Sequence, residues 1–487
     1  MKDKESRSGV GSDAVRLTAS KVATMAISMV SSMLLSRFRT LTEYGTYSQL
    51  LMAINLVCSI IMLGLPNSIN YFLAKAETEQ ERDRFLSVYY TLNTLLSLMV
   101  GLVLVLATPL LEVIFKNKLI RSFWYFLAFF PWTKIIMSSV ENLLIVYSKT
   151  NTLMLFRLAN SVALLGIILL VQLSGGTFST YMVLYLATEA IFTLWTYWQV
   201  KKNSTHLKPS LNTALIKTVF AFSIPIGIAS MIGTINIELD KLVITSFFST
   251  EELAIYTNAS RELPVTVIAT SLTAVLLPQV VRLLHGGRNR DAVELWKSAT
   301  TISFAIICFF AAACFVFAPE VITVLYSKKY LDGVAVFRVY CLVLLLRCTY
   351  FGMLLNASGR TKFILYSSIG SLVLNAVLNY IFYGIFGFIG PALATFFSSL
   401  IMQMIQLTYS GKVLDIRFSD VFPWKNFFFI LLLNAATGLG VFEIHRMINA
   451  GAVSIVSALG LGAIWFFVMA CIQFKPIKKQ WNVLNKG

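Results

Sequence analysis

Ionisable side chains interrupt long apolar runs throughout this 487-residue sequence, and they are the first guide to its chemistry. A charged side chain at the centre of a bilayer costs about 2.5 kcal/mol or more, so each one needs a partner or a function. Seven basic residues fall inside the runs: Lys21, Lys134, Arg157, Lys241, Arg261, Arg338 and Arg347. The acidic residues inside the runs are Glu141, Glu189, Glu238, Asp240, Glu262 and Glu443. This balance predicts an electropositive interior that favours an anionic ligand.

The turn at 148–149 lies midway between two of these charges, Glu141 and Arg157. The two side chains therefore reach the same depth and can pair. Lys21, early in the first apolar run, lies at a similar depth. We predict that these three residues form an inner cluster. The ion pair could equally serve only to hold helices together, and both readings stay open.

The turn near 248–252 predicts an outer cluster in the same way. Asp240, Lys241 and Arg261 lie about 5 to 10 Å below this turn, at 1.5 Å per helical residue. Two pairings are open: Asp240 with Arg261, or Glu238 with Lys241 at i,i+3. We expect Arg338 and Arg347 to line the same electropositive interior.

The predicted roles follow the sign of each charge. The substrate-binding candidates are Lys21, Arg157, Lys241, Arg261, Arg338 and Arg347. The ion-coupling candidates are Glu141, Glu238 and Asp240. The three histidines, expected to be solvated at loops or span ends, are His206, His285 and His445.

We predict no catalytic residue, metal site or cofactor. The sequence contains no GxxxxGK[ST] phosphate loop, no HExxH pair, no GxSxG elbow and no GxGxxG after a strand. The protein is therefore expected to be a non-enzymatic transporter. Its energy would come from a Na⁺ or H⁺ gradient or from the membrane potential.

Long apolar spans must position these charges. Hydrophobic residues make up 57% of the chain and charged residues 13%, against about 25% charged residues in soluble domains. About 20 apolar residues cross a bilayer, and the runs are continuous rather than alternating, which excludes a β-barrel. The predicted fold is an all-α polytopic membrane protein with about 14 transmembrane helices. The spans are 15–37, 46–74, 85–107, 119–147, 150–172, 178–200, 217–248, 252–283, 295–317, 332–356, 362–386, 389–411, 426–444 and 451–473.

The net charge of +17 reflects membrane topology. Of the 40 Lys and Arg, 25 lie in segments on the side of the N-terminus, eight on the opposite side and seven inside spans. By the positive-inside rule both termini are cytoplasmic, in agreement with an even number of helices. No basic run is long enough for a nucleic-acid arm, so we expect no nucleic-acid partner.

Three landmarks recur at an offset of about 210 positions. TEYGTYSQ at 42–49 resembles TEELAIYTNA at 250–259, GLP at 64–66 resembles LLP at 276–278, and the turns after the fourth and tenth spans match. We predict two six-helix lobes related by a pseudo-twofold axis along the membrane normal, plus two C-terminal helices. The cleft between such lobes is where transporters bind substrate for alternating access. The predicted domains are an N-terminal lobe at 1–200, a cytoplasmic linker at 201–216, a C-terminal lobe at 217–412, and helices 13–14 with a cytoplasmic tail at 413–487.

Two stretches resemble bacterial polysaccharide repeat-unit flippases. GLPNSINYFLAKAETEQERDR at 64–84 resembles the end of their second helix and the following loop. DKLVITSFFSTEELAIYTNASRELP at 240–264 resembles their seventh-to-eighth-helix hairpin. With the span count and the repeat, the chain resembles the multidrug/oligosaccharidyl-lipid/polysaccharide exporter superfamily, O-antigen or capsule type.

This resemblance implies a substrate, a cellular location and partners. The protein would move an undecaprenyl-diphosphate-linked oligosaccharide from the inner to the outer leaflet of the bacterial cytoplasmic membrane. Its partners would be that glycan, the bilayer and other polysaccharide-assembly proteins. Tyr256, Ala259, Arg261 and Pro264 match a helix-eight pattern of related lipid II flippases, which implies that Arg261 contacts the diphosphate. The alternatives are a lipid II-type flippase, a multidrug or cation antiporter, and a membrane glycan polymerase or ligase.

Overall fold

The structure, a computed structural model, describes residues 2–204, 207–449 and 452–484, and all regular structure within them is helical. The first ten helices are α1 Lys2–Phe38, α2 Leu41–Met62, α3 Leu65–Lys75, α4 Glu79–Leu106, α5 Thr108–Ile114, α6 Trp124–Met137, α7 Val140–Val146, α8 Thr150–Leu173, α9 Phe178–Lys202 and α10 Thr213–Phe247. The others are α11 Thr250–Ala259, α12 Val267–His285, α13 Asn289–Val316, α14 Ala318–Leu325, α15 Val334–Leu346, α16 Met353–Ala357, α17 Thr361–Phe386, α18 Gly390–Leu414, α19 Phe418–Val421, α20 Trp424–Asn449 and α21 Ile455–Leu484. Short 3₁₀ turns occur at Lys118–Phe123, Pro264–Thr266, Lys328–Gly333 and Gly387–Ile389.

Ten segments of the described chain are long and apolar enough to cross a membrane. One of them, Thr361–Leu414, contains both α17 and α18. Large apolar side chains on the helix surfaces are strongly exposed, for example Leu173 at 88% and Val456 at 83%. Lipid is the solvent that makes such surfaces favourable, so the prediction of an all-α polytopic membrane protein is confirmed. The ten segments become about fourteen crossings in three steps. Helices α17 and α18 count separately, α9 adds one crossing, and α6 with α7 and α15 with α16 add one crossing each.

Four spans predicted as continuous are in fact interrupted. The breaks fall between α2 and α3, between α6 and α7, between α11 and α12, and between α15 and α16. Proline accounts for only part of this pattern. Pro66 and Pro264 start the segment after a break, whereas Pro225 and Pro278 lie inside continuous helices and Pro391 lies in the first turn of α18.

Side chains from neighbouring helices hold the break after α15. Gln403 Nε2 donates to the Leu346 carbonyl at 2.9 Å, and Ser303 Oγ donates to the Cys348 carbonyl at 2.5 Å. Inside a membrane a carbonyl released from a helix needs such a partner. Because these partners come from α13 and α18, the break depends on tertiary packing, which a scan for proline cannot detect.

The helix boundaries repeat along the chain. Helix α4 and helix α13 start 210 positions apart and end 210 positions apart, and the 3₁₀ turns at Lys118–Phe123 and Lys328–Gly333 show the same offset. Left-handed residues recur as well, at Ser148 and Gly359. The internal repeat therefore extends from sequence landmarks to local backbone conformation.

By packing, the chain forms two compact units, Met1–Ala254 (unit 1) and Ile255–Gly487 (unit 2). In unit 1, α10 packs against α2 and α3, and Val219 of α10 joins the buried cluster of Leu65, Ile69 and Leu86. The predicted domains at 1–200, 201–216, 217–412 and 413–487 follow the repeat rather than packing, and they stay a prediction.

The predicted linker is attached to unit 1 where it is described. Ser204 Oγ donates to Asp83 Oδ1 at 2.5 Å, and the Lys208 amide donates to Ser87 Oγ at 3.2 Å. Residues 205–206, including the predicted solvated histidine His206, lie outside the described residues.

A close helix crossing fixes the break between α2 and α3. Leu63 and Gly64 are both left-handed, with φ of 38° and 73°. A Cβ atom on Gly227 of α10 would lie 2.0 Å from the Leu63 carbonyl carbon. Glycine is therefore required at position 227, because any larger residue would separate the two backbones.

In unit 2, the fully buried Trp296 belongs to the main apolar cluster. The C-terminal helices α20 and α21 pack on α13, where Trp465 lies over Gly438.

Candidate functional site

A buried charge network joins three helices of unit 1. Asn55 of α2 donates its Nδ2 to Glu238 Oε1 of α10 at 2.9 Å. Lys241 Nζ, one turn further along α10, lies 2.9 Å from Glu238 Oε2. Lys134 Nζ of α6 donates to Asn55 Oδ1. We call these four residues the unit 1 charge network.

The network carries one more positive than negative charge. The Glu238 side chain is 6% exposed and balances the ammonium of Lys241, whereas the partner of Lys134 is a neutral amide. Lys134 is itself half-buried. A buried charge without a full counter-charge is costly, and an anionic ligand would reduce that cost.

The structure contains the pairing of Glu238 with Lys241, which is one of the two pairings open from the sequence. Asp240 is also buried, at 3% exposure. It follows Glu238 by two residues, or about 200° of helix rotation, so it points to the opposite side of α10. Sequence reasoning found Lys134 without assigning it to the site and missed Asn55. The signal for Asn55 was a single amide in the apolar run LLMAINLVCSIIM.

The inner charges form a second group in unit 1. Arg157 Nη2 lies 2.5 Å from Glu141 Oε2, as expected from their equal distance to the turn, with side-chain exposures of 15% and 49%. Helix α1 packs along α8, where Leu17 contacts the cluster that contains Leu153. Lys21 is one turn beyond Leu17, as Arg157 is one turn beyond Leu153. The exposed Lys21 therefore lies at the level of the ion pair, because both helices start from the same end of the unit.

In unit 2, Arg261 lies in the break between α11 and α12. The next residue, Glu262, forms a 2.7 Å ion pair with Arg347, which directly follows α15 at the second break. A cavity of about 20 Å³ is lined by Arg261, Glu262, Arg347 and Tyr340. Irregular backbone inside a membrane is tolerated where it lines a cavity, so two broken helices and two arginines mark this place. The cavity has room for about one water, so a larger ligand requires it to open.

Arg338 lies elsewhere in unit 2. Its Nε donates to the Phe315 carbonyl at 3.2 Å, and its guanidinium lies 5.5 Å from the centre of the Phe315 ring. Arg347 follows Arg338 by nine positions, which is about 180° of rotation around a helix. The two arginines therefore do not line one cavity, in contrast to the expectation of a shared lumen.

Partners reduce the cationic surplus inferred from the sequence. Of the seven bases inside spans, Arg157, Lys241 and Arg347 form ion pairs with carboxylates. Lys134 binds an amide and Arg338 binds a carbonyl.

His445 is buried, so the expectation of a solvated histidine was wrong for it. Its Nε2 lies 3.0 Å from Glu320 Oε1, and its Nδ1 lies 3.1 Å from Ser457 Oγ. The error arose because Glu320 is 125 positions away in the sequence. His285 is exposed, as expected.

Residues 34–335 match the family described as polysaccharide biosynthesis protein. An uncharacterized membrane protein of Methanocaldococcus jannaschii is 25% identical over 365 residues, covering 70% of this chain and 83% of the relative. The probable low-salt glycan biosynthesis flippase Agl15 of Haloferax volcanii is 23% identical over 249 residues, covering 50% of this chain and 52% of Agl15.

Solved structures with the same fold include the lipid II flippase MurJ in an inward closed conformation. It superposes with a TM-score of 0.67 at 14% identity, covering 95% of this chain and 99% of MurJ. A MATE structure in complex with MaL6 gives a TM-score of 0.57 at 15% identity, covering 83% of this chain and 96% of the MATE chain. A MOP superfamily transporter from Pyrococcus furiosus gives 0.54 at 16% identity, covering 83% and 95%.

The broken helices, the buried charges and these superpositions define a polytopic helical membrane protein with the fold of the MOP superfamily. The resemblance seen in 64–84 and 240–264 is thus confirmed. The chain belongs to the polysaccharide biosynthesis protein family.

Proposed function

We propose that this protein is a flippase for a lipid-linked oligosaccharide. Its substrate would be an undecaprenyl-diphosphate-linked repeat unit, moved from the inner to the outer leaflet of the cytoplasmic membrane by alternating access. The observation that carries the proposal is the unit 1 charge network, which keeps a net positive charge inside an apolar helical bundle. Family membership and the likeness to Agl15, a probable glycan biosynthesis flippase, support it.

The chemistry of the substrate requires such a site. A diphosphate carries about two negative charges, and its desolvation must be offset by cations or hydrogen-bond donors. Dispersed Lys and Arg serve this better than one tight cage, because the substrate must also be released. In unit 1 we assign the main anion contacts to Lys134 and Lys241, with Lys21 and Arg157 as an inner entry group. In unit 2, taken by itself, we assign an anion contact to Arg261.

Glu238 offers a simple means of coupling. Its carboxylate holds Lys241 Nζ at 2.9 Å, which keeps that ammonium away from a ligand. A proton or a cation bound at Glu238 would neutralise the carboxylate and free Lys241 for the diphosphate. Asp240 and Glu141 are the other coupling candidates. Arg347, paired with Glu262, would contact the substrate only after that ion pair opens.

A deletion strain tests the proposal. We expect loss of surface glycan and accumulation of lipid-linked repeat units on the inner leaflet. The intact gene should restore export, whereas Arg261→Ala should not, at equal amounts of membrane-inserted protein. Arg338→Ala is the matched control, since Arg338 does not line the Arg261 cavity, and it should restore export. Normal surface glycan in the deletion strain would refute the proposed function.

A further inference from the structure

Glu189 is a buried acidic residue of unit 1 to which the proposed transport mechanism assigns no role. In helix α9 it lies eleven residues after Phe178 and thirteen before Lys202. At 1.5 Å per helical residue, these separations are about 16 Å and about 20 Å. The hydrocarbon core of a bilayer is about 30 Å thick, so Glu189 lies near its centre. Only 8% of the residue is exposed.

The carboxyl group of Glu189 has a neutral hydrogen-bond partner. Asn160 Nδ2 of α8 donates to Glu189 Oε1 at 3.3 Å. Within the described part of the chain, Glu189 forms no ion pair with a lysine, an arginine or a histidine. Glu238, which is buried to a similar extent, has the ammonium of Lys241 as its counter-charge. Glu189 therefore differs from Glu238 in lacking a balancing cation.

The charged residues of the neighbouring helices are engaged elsewhere. Helix α9 packs against α6 and α8. The charged residue of α6 is Lys134, which donates to Asn55. The charged residue of α8 is Arg157, which lies 2.5 Å from a carboxylate oxygen of Glu141. Neither cation is therefore available to balance an ionised Glu189.

Tyrosines lie between Glu189 and the end of α9 at Phe178. Tyr181 and Tyr185 precede Glu189 at intervals of four residues, so the three side chains lie within about 80° of one another around the helix. The rings of Tyr181 and Tyr185 are 5.8 Å apart and nearly parallel, and the ring of Tyr47 from α2 lies 6.2 Å from the first and 6.1 Å from the second. A phenol hydroxyl both donates and accepts hydrogen bonds, so this row is suited to carry a proton. The positive-inside rule assigns the end of α9 at Phe178 to the outer face.

These surroundings favour the protonated form of Glu189. An unpaired carboxylate taken out of water costs far more than one hydrogen bond to a neutral amide returns, so such a group takes up a proton instead. A protonated carboxyl group has one donor and one acceptor, which an amide such as Asn160 can match. A metal cation fits less well, because hard cations require several oxygen ligands and Asn160 presents its Nδ2 donor to the carboxyl group.

We propose that Glu189 is a proton-binding site in the middle of the membrane, protonated at neutral pH, and that it exchanges its proton with the outer side through Tyr185 and Tyr181. The proposal goes beyond the proposed function and does not depend on it. It identifies the proton as an ion that unit 1 binds.

Infrared spectroscopy of the purified full-length protein in lipid tests this site, because the C=O stretch of a protonated carboxyl group is separate from the bands of ionised carboxylates. At neutral pH we expect the wild-type protein to show this band, and we expect the band to fade as the pH rises. Glu189→Gln keeps the shape of the side chain and should lose the band. Glu294→Gln, which replaces a glutamate with a 63% exposed side chain, is the matched control and should keep it.

Exchange in D₂O tests the proton route, because deuteration shifts the same band. Tyr185→Phe removes one hydroxyl and should slow the exchange several-fold. Tyr197→Phe is the matched control, since Tyr197 lies two turns beyond Glu189 towards the other end of α9 and its hydroxyl contacts that of Thr94. This variant should exchange at the wild-type rate.

The same band in Glu189→Gln and in the wild-type protein would overturn the proton-binding site. Loss of the band on addition of Na⁺ at constant pH would overturn the assignment to a proton in favour of a metal cation. Equal exchange rates in Tyr185→Phe and Tyr197→Phe would overturn the route. None of these results depends on transport, so normal surface glycan in the deletion strain would refute the flippase function and leave the proton-binding site standing.

Discussion

Replacing Glu238 by glutamine should destabilise the protein far more than the same replacement in an exposed Lys–Glu ion pair. Two donors converge on the two carboxylate oxygens, Asn55 Nδ2 on one and Lys241 Nζ on the other, each at 2.9 Å. An amide has one acceptor oxygen, so its NH₂ group would face one of these donors. The substitution also leaves the Lys241 ammonium without its carboxylate and raises the excess positive charge of the network, which contains Lys134 as well.

The magnitude follows from burial. Removing one partner of a fully buried ion pair costs about 3–5 kcal/mol. Since the Lys241 side chain is 23% exposed and partly screened, we expect a loss of about 2 kcal/mol in the free energy of unfolding. Unfolding of the purified protein in mixed micelles with increasing SDS measures this difference.

The chain contains a matched control for this experiment. Glu294 and Lys297 have the same i,i+3 spacing and a 2.8 Å contact, but Glu294 is 63% exposed. Glu294→Gln should cost only about 0.2–0.5 kcal/mol. Adding Lys241→Met to Glu238→Gln should recover part of the stability, because the unpaired ammonium is removed. Equal effects of Glu238→Gln and Glu294→Gln would refute the buried network.

Two further predictions concern α10. Gly227→Ala should destabilise unit 1 by about 1–3 kcal/mol, because its Cβ would lie 2.0 Å from the Leu63 backbone. Gly233→Ala on the same helix, with no atom within 4 Å of its Cβ, should be neutral or stabilising in the same unfolding assay, and equal effects would contradict the crossing. Asp240→Asn should make glycan export independent of an imposed Na⁺ or H⁺ gradient, measured in energised vesicles. Export that keeps its gradient dependence would show that Asp240 is only structural.

Local rules predicted those parts of the site that depend on spacing along the chain. The pair Glu238–Lys241 follows from helix geometry, and the pair Glu141–Arg157 follows from equal distance to one turn. The separation of Arg338 from Arg347 could also have been predicted, because a difference of nine helical positions places the two arginines on opposite sides of a helix.

The rest depends on contacts between distant segments. Nothing in the sequence near Asn55 shows that Lys134 and Glu238 meet it from two other helices. The break at Arg347 has no proline and depends on Gln403 and on α13, so hydropathy predicted an unbroken span. The burial of His445 depends in the same way on a glutamate in another helix.

Transport by the purified protein is the most direct test of the central claim. The protein is reconstituted in liposomes with a fluorescent diphosphate-linked polyprenyl oligosaccharide, and the label accessible from outside is measured with time. We predict that the substrate equilibrates between the leaflets with the wild-type protein and not with Arg261→Ala or in protein-free liposomes. A rate with the wild-type protein no higher than in protein-free liposomes would contradict the account.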